Sequence, residues 1–254
     1  MPDLPVITLS IVSHRQGDLI LPLLHDIQKD CPGKRIQVAL TLNLPETLLF
    51  RPEDFGFPLL IITNKAPRGF GSNHNRAFAS TGGDFFCVLN PDVRFSGDPF
   101  SPLCRRLGDH PDWGVIAPLV QDRNQRIADN ARFFPTPLRI LKRLLHSANP
   151  ADYPTPSRPI RVDWLAGLFL LFPRRAFAAI KGFDERYYLY YEDVDLCARL
   201  RLSGYGVFLD PAVTIRHDAG RHSHRQLKYL RWHLTSMVRF FNSEVSSALK
   251  RCCP

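Results

Sequence analysis

The chain has 254 residues, enough to bury a full core, and its 44% hydrophobic and 22% charged content is that of a folded globular protein, not a disordered one. Lys and Arg number 33 against 24 Asp and Glu, and the net charge of +9 favours an anionic partner: a nucleotide, a nucleic acid or an acidic membrane surface. The longest apolar run, 164–172, falls far short of the roughly 20 residues of a membrane-spanning helix, so a soluble or peripheral protein is expected.

The chain enters a strand pattern almost at once, without a basic flank and cleavage site, and no secretory leader is expected. Four short apolar, β-rich runs follow at 6–12, 37–42, 58–62 and 84–89, with helical spacing at 19–28 and 72–79 between them. Strands that alternate with helices imply parallel pairing through crossovers, hence a doubly wound α/β core. The runs end in Ser13-His14, Asn43, Asn64 and Asn90-Pro91-Asp92. Asn and Asp also start turns, but four polar tips together point to one crevice at the carboxyl ends of the strands.

The second half is less regular. Strands are expected at 112–120 and 127–134, then a stretch at 135–160 with six prolines around the basic amphipathic piece 138–145. An apolar strand at 164–172, a short helix at 173–180, a helix at 192–201 and strands at 206–209 and 213–217 come next. A basic amphipathic helix at 223–241 carries Leu227, Leu230, Leu234, Val238 and Phe241 along one side. The six cysteines, at 31, 87, 104, 197, 252 and 253, show no C-x-x-C spacing, and Cys87 and Cys197 lie in apolar segments, which fits a reducing compartment. The vicinal Cys252-Cys253 pair is open to lipidation or metal binding, or is plain tail.

The chemistry concentrates in 182–201, where Glu192, Asp193 and Asp195 follow Tyr187, Tyr188, Tyr190 and Tyr191. As a plain helix this stretch explains Asp195, an i,i+4 partner for Arg199, and lets Glu192 serve the helix dipole or an acceptor. It leaves Asp193 over, because about 100° of rotation per residue turns it off the Asp195 face. A carboxylate walled by tyrosines suits a general base that takes a hydroxyl proton. Asp92, past the end of a central strand on a proline turn, suits an oxygen ligand for Mg²⁺ or Mn²⁺, and His217 at a strand end is a candidate to complete such a site. The loop Arg68-Gly69-Phe70-Gly71-Ser72-Asn73-His74-Asn75 opens a helix with donors suited to a phosphate or nucleotide.

In this order, Ile11-Val12-Ser13-His14, Asn43, Arg68-Gly69-Phe70-Gly71 with Asn75, Leu89-Asn90-Pro91-Asp92, Trp164-Leu165-Ala166-Gly167, Gly182-Phe183-Asp184-Glu185, Tyr191-Glu192-Asp193-Val194-Asp195 and His217 make the chain, over about residues 6–223, resemble the family 2 inverting glycosyltransferases. Within them it looks most like the bacterial rhamnosyltransferase branch. The resemblance implies a GT-A-type, single Rossmann-like nucleotide-sugar domain with a mainly parallel central sheet and a C-terminal helix. It divides the chain into a glycosyltransferase domain at 1–222, with a nucleotide-binding half to about 120 and an acceptor half at 121–222, and a basic helix and tail at 223–254. Ser13, His14, Asn43, Arg68, Gly69, Asn75, Asn90 and Asp92 would bind the donor, and Trp164, Tyr191 and Glu192 the acceptor. Asp92 and His217 would hold a divalent metal, and Asp193 would be the catalytic base. Asn90 and Asn43 stand where many members carry acids, which lowers the negative charge of the metal site and of the ribose or base contact.

The implied activity is inverting transfer of a sugar, rhamnose from dTDP-rhamnose as the best guess, to a hydroxyl of a saccharide or lipid-linked saccharide in cell-surface polysaccharide synthesis. The expected place is the cytoplasm, peripheral at the inner face of the cell membrane. A catalytically inactive sugar-nucleotide binder or assembly protein is the alternative. A nucleic-acid partner is not expected, since the tyrosines neighbour acids, which repel phosphate.

Overall fold

The computed structural model describes residues 4–145, 151–217 and 227–252; Asp218, the 223–226 start of the expected basic helix and Cys253 lie outside them. In chain order the elements are β1 (Val6–Ser13), α1 (Gly17–Asp30), β2 (Arg35–Leu42), β3 (Leu59–Thr63), α2 (Phe70–Ala79), β4 (Phe85–Leu89), β5 (Val93–Arg94), α3 (Phe100–Asp109), β6 (Trp113–Gln121) and β7 (Ala131–Arg132). Then come α4 (Pro137–Leu145), β8 (Ile160–Arg161), β9 (Trp164–Leu165), β10 (Phe169–Pro173), α5 (Arg174–Ala179), α6 (Glu192–Leu202), β11 (Gly206–His217), α7 (Leu227–Phe241) and α8 (Glu244–Cys252).

One sheet runs in the order β3-β2-β1-β4-β10-β6-β11-β5, with β8 on β11. The four strands of the first half are mutually parallel, as the strand and helix alternation predicts. β10 enters antiparallel between β4 and β6, and β6 pairs parallel with β11. The central strands are buried on both faces: Cys87 and Leu89 of β4 and Phe169 and Leu171 of β10 join one apolar cluster, while Phe86, Val88, Leu170 and Phe172 join the other. That double burial is why they read as continuous apolar runs, not as alternating ones. Because β10 sits between β4 and β6, a single sheet carries both halves of the chain.

Several expected elements are corrected. The run at 164–172 is two strands, broken by a turn in which Leu168 N–H donates to the Ala166 carbonyl. Of 127–134 only β7 and a bridge from Gln121 to Ile127 are strand, because the Asp122 carboxylate accepts the Asn124 and Arg126 N–H groups and closes a polar turn. The pieces at 206–209 and 213–217 are one strand with a bulge between Asp210 and Thr214. Two helices went unread. Asp98 accepts the Phe100 and Ser101 N–H groups at the start of α3, and the Ser243 hydroxyl accepts the Ser246 N–H at the start of α8.

Candidate active site

The polar tips that follow β1, β2 and β3 meet through hydrogen bonds. Asn43 at the end of β2 accepts the Arg68 N–H at 2.8 Å and donates to the Arg68 carbonyl at 3.0 Å, and its amide lies 3.3 Å from His14 Nδ1. Asn64 donates to Asn43 and to Asn73 of α2. Ser13 is buried and its hydroxyl accepts the Gln16 N–H. Burial, and then the charge of Lys228 on α7, hold the His14 imidazole below its ordinary pKa, so the neutral ring faces this edge.

Contacts with the tyrosine turn and with Phe183 place the glycine loop. A Cβ on Gly69 would lie 2.8 Å from the Tyr188 carbonyl oxygen, which accepts the Phe70 N–H, so this position admits only glycine without a shift of the backbone. A Cβ on Gly71 would stand 2.5 Å from Phe183 Cβ. Arg68 is exposed, and Asn75 spends its amide on the Phe183 N–H and carbonyl and on Glu185. Asn75 therefore ties α2 to the Gly182–Glu185 turn.

Asp92 follows β4, and the pairing of β5 with the end of β11 brings His217 opposite Val93. This register sets His217 Nε2 3.1 Å from Asp92 Oδ2. Asp92 Oδ1 is buried and has no hydrogen-bond partner. A buried anionic oxygen without a donor, beside an imidazole nitrogen, fits a divalent cation. Among the described residues no group of three or more His, Cys, Asp or Glu comes together, so such an ion would draw its remaining ligands from substrate oxygens or water.

Asp193 opens α6 behind Tyr190 and Tyr191, two non-glycine residues at φ of 68° and 65°. Consecutive left-handed residues cost free energy and persist only where their surroundings hold them. Here α7 does so. The Ser236 hydroxyl donates to the Leu189 carbonyl, the His233 ring packs on both tyrosines, and Phe240 lies against Tyr191. Asp193 then accepts the Val194 N–H at 2.8 Å and the Gly167 N–H at 3.1 Å. Next along the chain, the Leu168 carbonyl accepts the Asn90 N–H at 2.9 Å. The Gly167-Leu168 turn thus joins the Asp193 carboxylate to the turn that carries Asp92, linking motifs about a hundred residues apart.

Burial raises the Asp193 pKa above the ordinary aspartate value, against the opposing pull of its two backbone N–H donors and Arg132. Glu192 is buried, its Oε2 has no partner, and burial followed by the charge of Asp193 pushes its pKa well up. Glu192 is therefore the proton holder of this pair, and Asp193, with its two N–H donors, the carboxylate that ionises first. Both line a cavity of about 460 Å³ with Trp164, Tyr190, Tyr191 and His233. Trp164 is fixed there by its Nε1–H bond to the Phe133 carbonyl.

The expectation that the tyrosines together wall the carboxylate is corrected for two of them. Tyr187 is buried among Val194, Ala198, Phe240 and Leu249, and Tyr188 packs on Trp232, because α7 and α8 cover that side. Asp195 pairs with Arg199 at 2.7 Å, as the helix reading requires. Sequence reasoning noted Gly167 as the end of the Trp164-Leu165-Ala166-Gly167 motif but gave it no role of its own, and it gave none to His233.

A parallel first half, an Asp and His pair beyond its strand ends and a buried carboxylate facing a separate cavity are carried on a sheet of the GT-A type. No protein-family model matches the chain. It is 29% identical over 242 residues to the rhamnosyltransferase WbbL of Escherichia coli, spanning 91% of this chain and 90% of that one. It is 30% identical over 183 residues to an N-acetylglucosaminyl-diphospho-decaprenol L-rhamnosyltransferase of Mycobacterium tuberculosis, covering 63% of this chain and 59% of the relative. Among solved structures, GalNAc-T7 with UDP, GalNAc and Mn²⁺ superposes with a TM-score of 0.71 at 14% identity, over 97% of this chain and 50% of that one. The mannosyltransferase PcManGT of Pyrobaculum calidifontis, with GDP-Man and Mn²⁺, gives 0.61 at 16% identity, over 94% and 65%. The chain is thus similar in sequence to bacterial rhamnosyltransferases and shares its fold with solved GT-A glycosyltransferases.

Proposed function

We propose that this chain transfers rhamnose from dTDP-rhamnose, with inversion, to a hydroxyl of a saccharide or lipid-linked saccharide in cell-surface polysaccharide synthesis. The observation that carries the reading is the Asp193 carboxylate, aimed by Gly167 and tied through Leu168 to the Asp92 turn. WbbL is named a rhamnosyltransferase, and the mycobacterial relative is named for a diphospholipid-linked acceptor.

Direct displacement at the anomeric carbon needs an acceptor oxygen losing its proton on one face and a stabilised diphosphate leaving on the other. Asp193 takes that proton. Its raised pKa makes it a better base than an ordinary aspartate. Trp164, Tyr191 and Glu192 orient the acceptor in the 460 Å³ cavity, with Glu192 donating its retained proton. Ser13, His14, Asn43, Arg68, Gly69, Asn75 and Asn90 shape the donor side. Asn43, Gly69 and Asn75 do so by fixing backbone. Asp92 and His217 would hold Mg²⁺ or Mn²⁺, which, when bound, neutralises charge on the leaving diphosphate. The net charge of +9 suits an anionic donor and an anionic membrane surface, and we place the protein at the cytoplasmic face of the cell membrane.

Asp193→Asn tests the reading. Transfer should fall by about 10²- to 10⁴-fold, the range for loss of a general base, with dTDP affinity by calorimetry within about threefold of wild type. An equal loss of nucleotide binding would overturn the base assignment.

A further inference from the structure

The leucines of α4 and α7 face outward. On α7, Leu227, Leu230, Leu234 and Val238 are 85%, 55%, 46% and 54% exposed. At about 100° per residue they fall within about 80° of one another, opposite the Trp232, Ser236 and Phe240 side that packs on the protein. On α4, Leu138, Leu141 and Leu145 are 61%, 51% and 72% exposed and share a stripe in the same way. Each stripe has basic residues along one flank: Lys228, Arg231 and Arg239 on α7, and Arg139 and Lys142 on α4, where Arg143 pairs with Asp152 and Asp129 instead. Neither helix contains an acidic residue.

We propose that α4 and α7 together form a docking surface for an anionic lipid bilayer, with the leucine stripes in the headgroup boundary and the basic flanks on the lipid phosphates. Leucine on one face with Lys and Arg beside it is the pattern of a helix that lies in a membrane interface. A second copy of the chain is a poorer occupant, since self-pairing would set these basic flanks against each other with no acid on either helix to offset them. The placement adds a second argument. Arg139, Ile140 and Arg143 of α4 and His233 of α7 line the cavity that holds Asp193, so the two stripes lie on the helices that border that cavity. A lipid-linked acceptor would reach Asp193 from the bilayer without leaving it. This last step rests on the proposed acceptor role of the cavity; the docking itself does not.

The test is co-sedimentation of the full chain with phosphatidylglycerol and phosphatidylcholine vesicles, against phosphatidylcholine alone. Wild type should bind the anionic vesicles, more weakly at high salt. The triple changes Leu230→Gln, Leu234→Gln, Val238→Gln and Leu138→Gln, Leu141→Gln, Leu145→Gln should each weaken binding by about tenfold or more. Both variants should melt as wild type does and keep its rate on a water-soluble saccharide acceptor, while losing rate on an acceptor embedded in anionic vesicles. The docking is overturned by no binding of wild type, by binding that the leucine changes leave intact, or by a dimer that those changes dissociate. Vesicle binding without rhamnose transfer to either acceptor would instead leave the docking standing and sink the proposed activity.

Discussion

Glu192 and Asp193 are neighbours of the same chemical type, and their surroundings give them different tasks. Asp193 receives two backbone N–H groups, whereas Glu192 Oε2 receives none. A buried acid with a raised pKa binds a proton in the folded state that the unfolded chain has released, so it costs stability above the unfolded glutamate pKa of about 4.3. Glu192→Gln keeps the neutral shape without that cost. It should therefore melt higher than wild type at neutral pH, with the gain vanishing as the pH falls towards about 4, in calorimetric scans across pH. Transfer by the variant should stay within about threefold, with an unchanged acid limb that lies above the ordinary aspartate value of about 3.9 because it belongs to Asp193. A loss of 10²-fold or a displaced limb would show that Glu192 works as a charge. At this scale the sequence told the carboxylates apart in part. Rotation along the helix separated Asp193 from Asp195, but the N–H of Gly167 comes from 26 residues away and no local spacing encodes it.

The elements that position the site meet through close contacts, and at Gly69 the neighbours are backbone atoms. An alanine Cβ there would stand 2.8 Å from the Tyr188 carbonyl oxygen and 2.9 Å from Tyr188 Cα, atoms that cannot rotate away. Gly69→Ala should lower stability by about 1–3 kcal/mol in urea unfolding and raise the donor KM, since the shift reaches Arg68 and the tyrosine turn together. A change below about 0.5 kcal/mol would mean that the loop gives way freely. Legibility varied by element for physical reasons. β1 to β4 and α1 were readable because their apolar periods match their structure. The break after β9 was not, because the half-buried turn Ala166-Gly167-Leu168 keeps small and apolar residues throughout. α3 and α8 escaped notice although Asp98 and Ser243 mark their starts and Phe100, Leu103, Cys104 and Leu107 keep helical spacing along α3.

Across the whole molecule, the C-terminal helices complete the site. Phe240 is buried with Tyr187, Tyr191, Val194, Ala198 and Leu249, and this cluster backs the two left-handed tyrosines in front of Asp193. Phe240→Ala should cost about 3–5 kcal/mol by chemical denaturation, the usual range for a buried aromatic. It should also lower kcat with dTDP affinity nearly unchanged, because α6 loses its support while the strand tips keep theirs. An activity loss matched by nucleotide release would show that the cluster serves the entire fold. The sequence by itself determined the parallel strands of the first half, the candidacy of Asp92, Asp193 and His217, and the basic amphipathic helices, since those follow from periodicity, local chemistry and motif order. Only the tertiary structure decided that β10 enters antiparallel at the centre of the sheet, that Gly167 and Leu168 join Asp193 to the Asp92 turn, and that the leucines of α4 and α7 face out. Those outcomes depend on which surfaces remain once distant segments have packed, and no window of the chain contains that information.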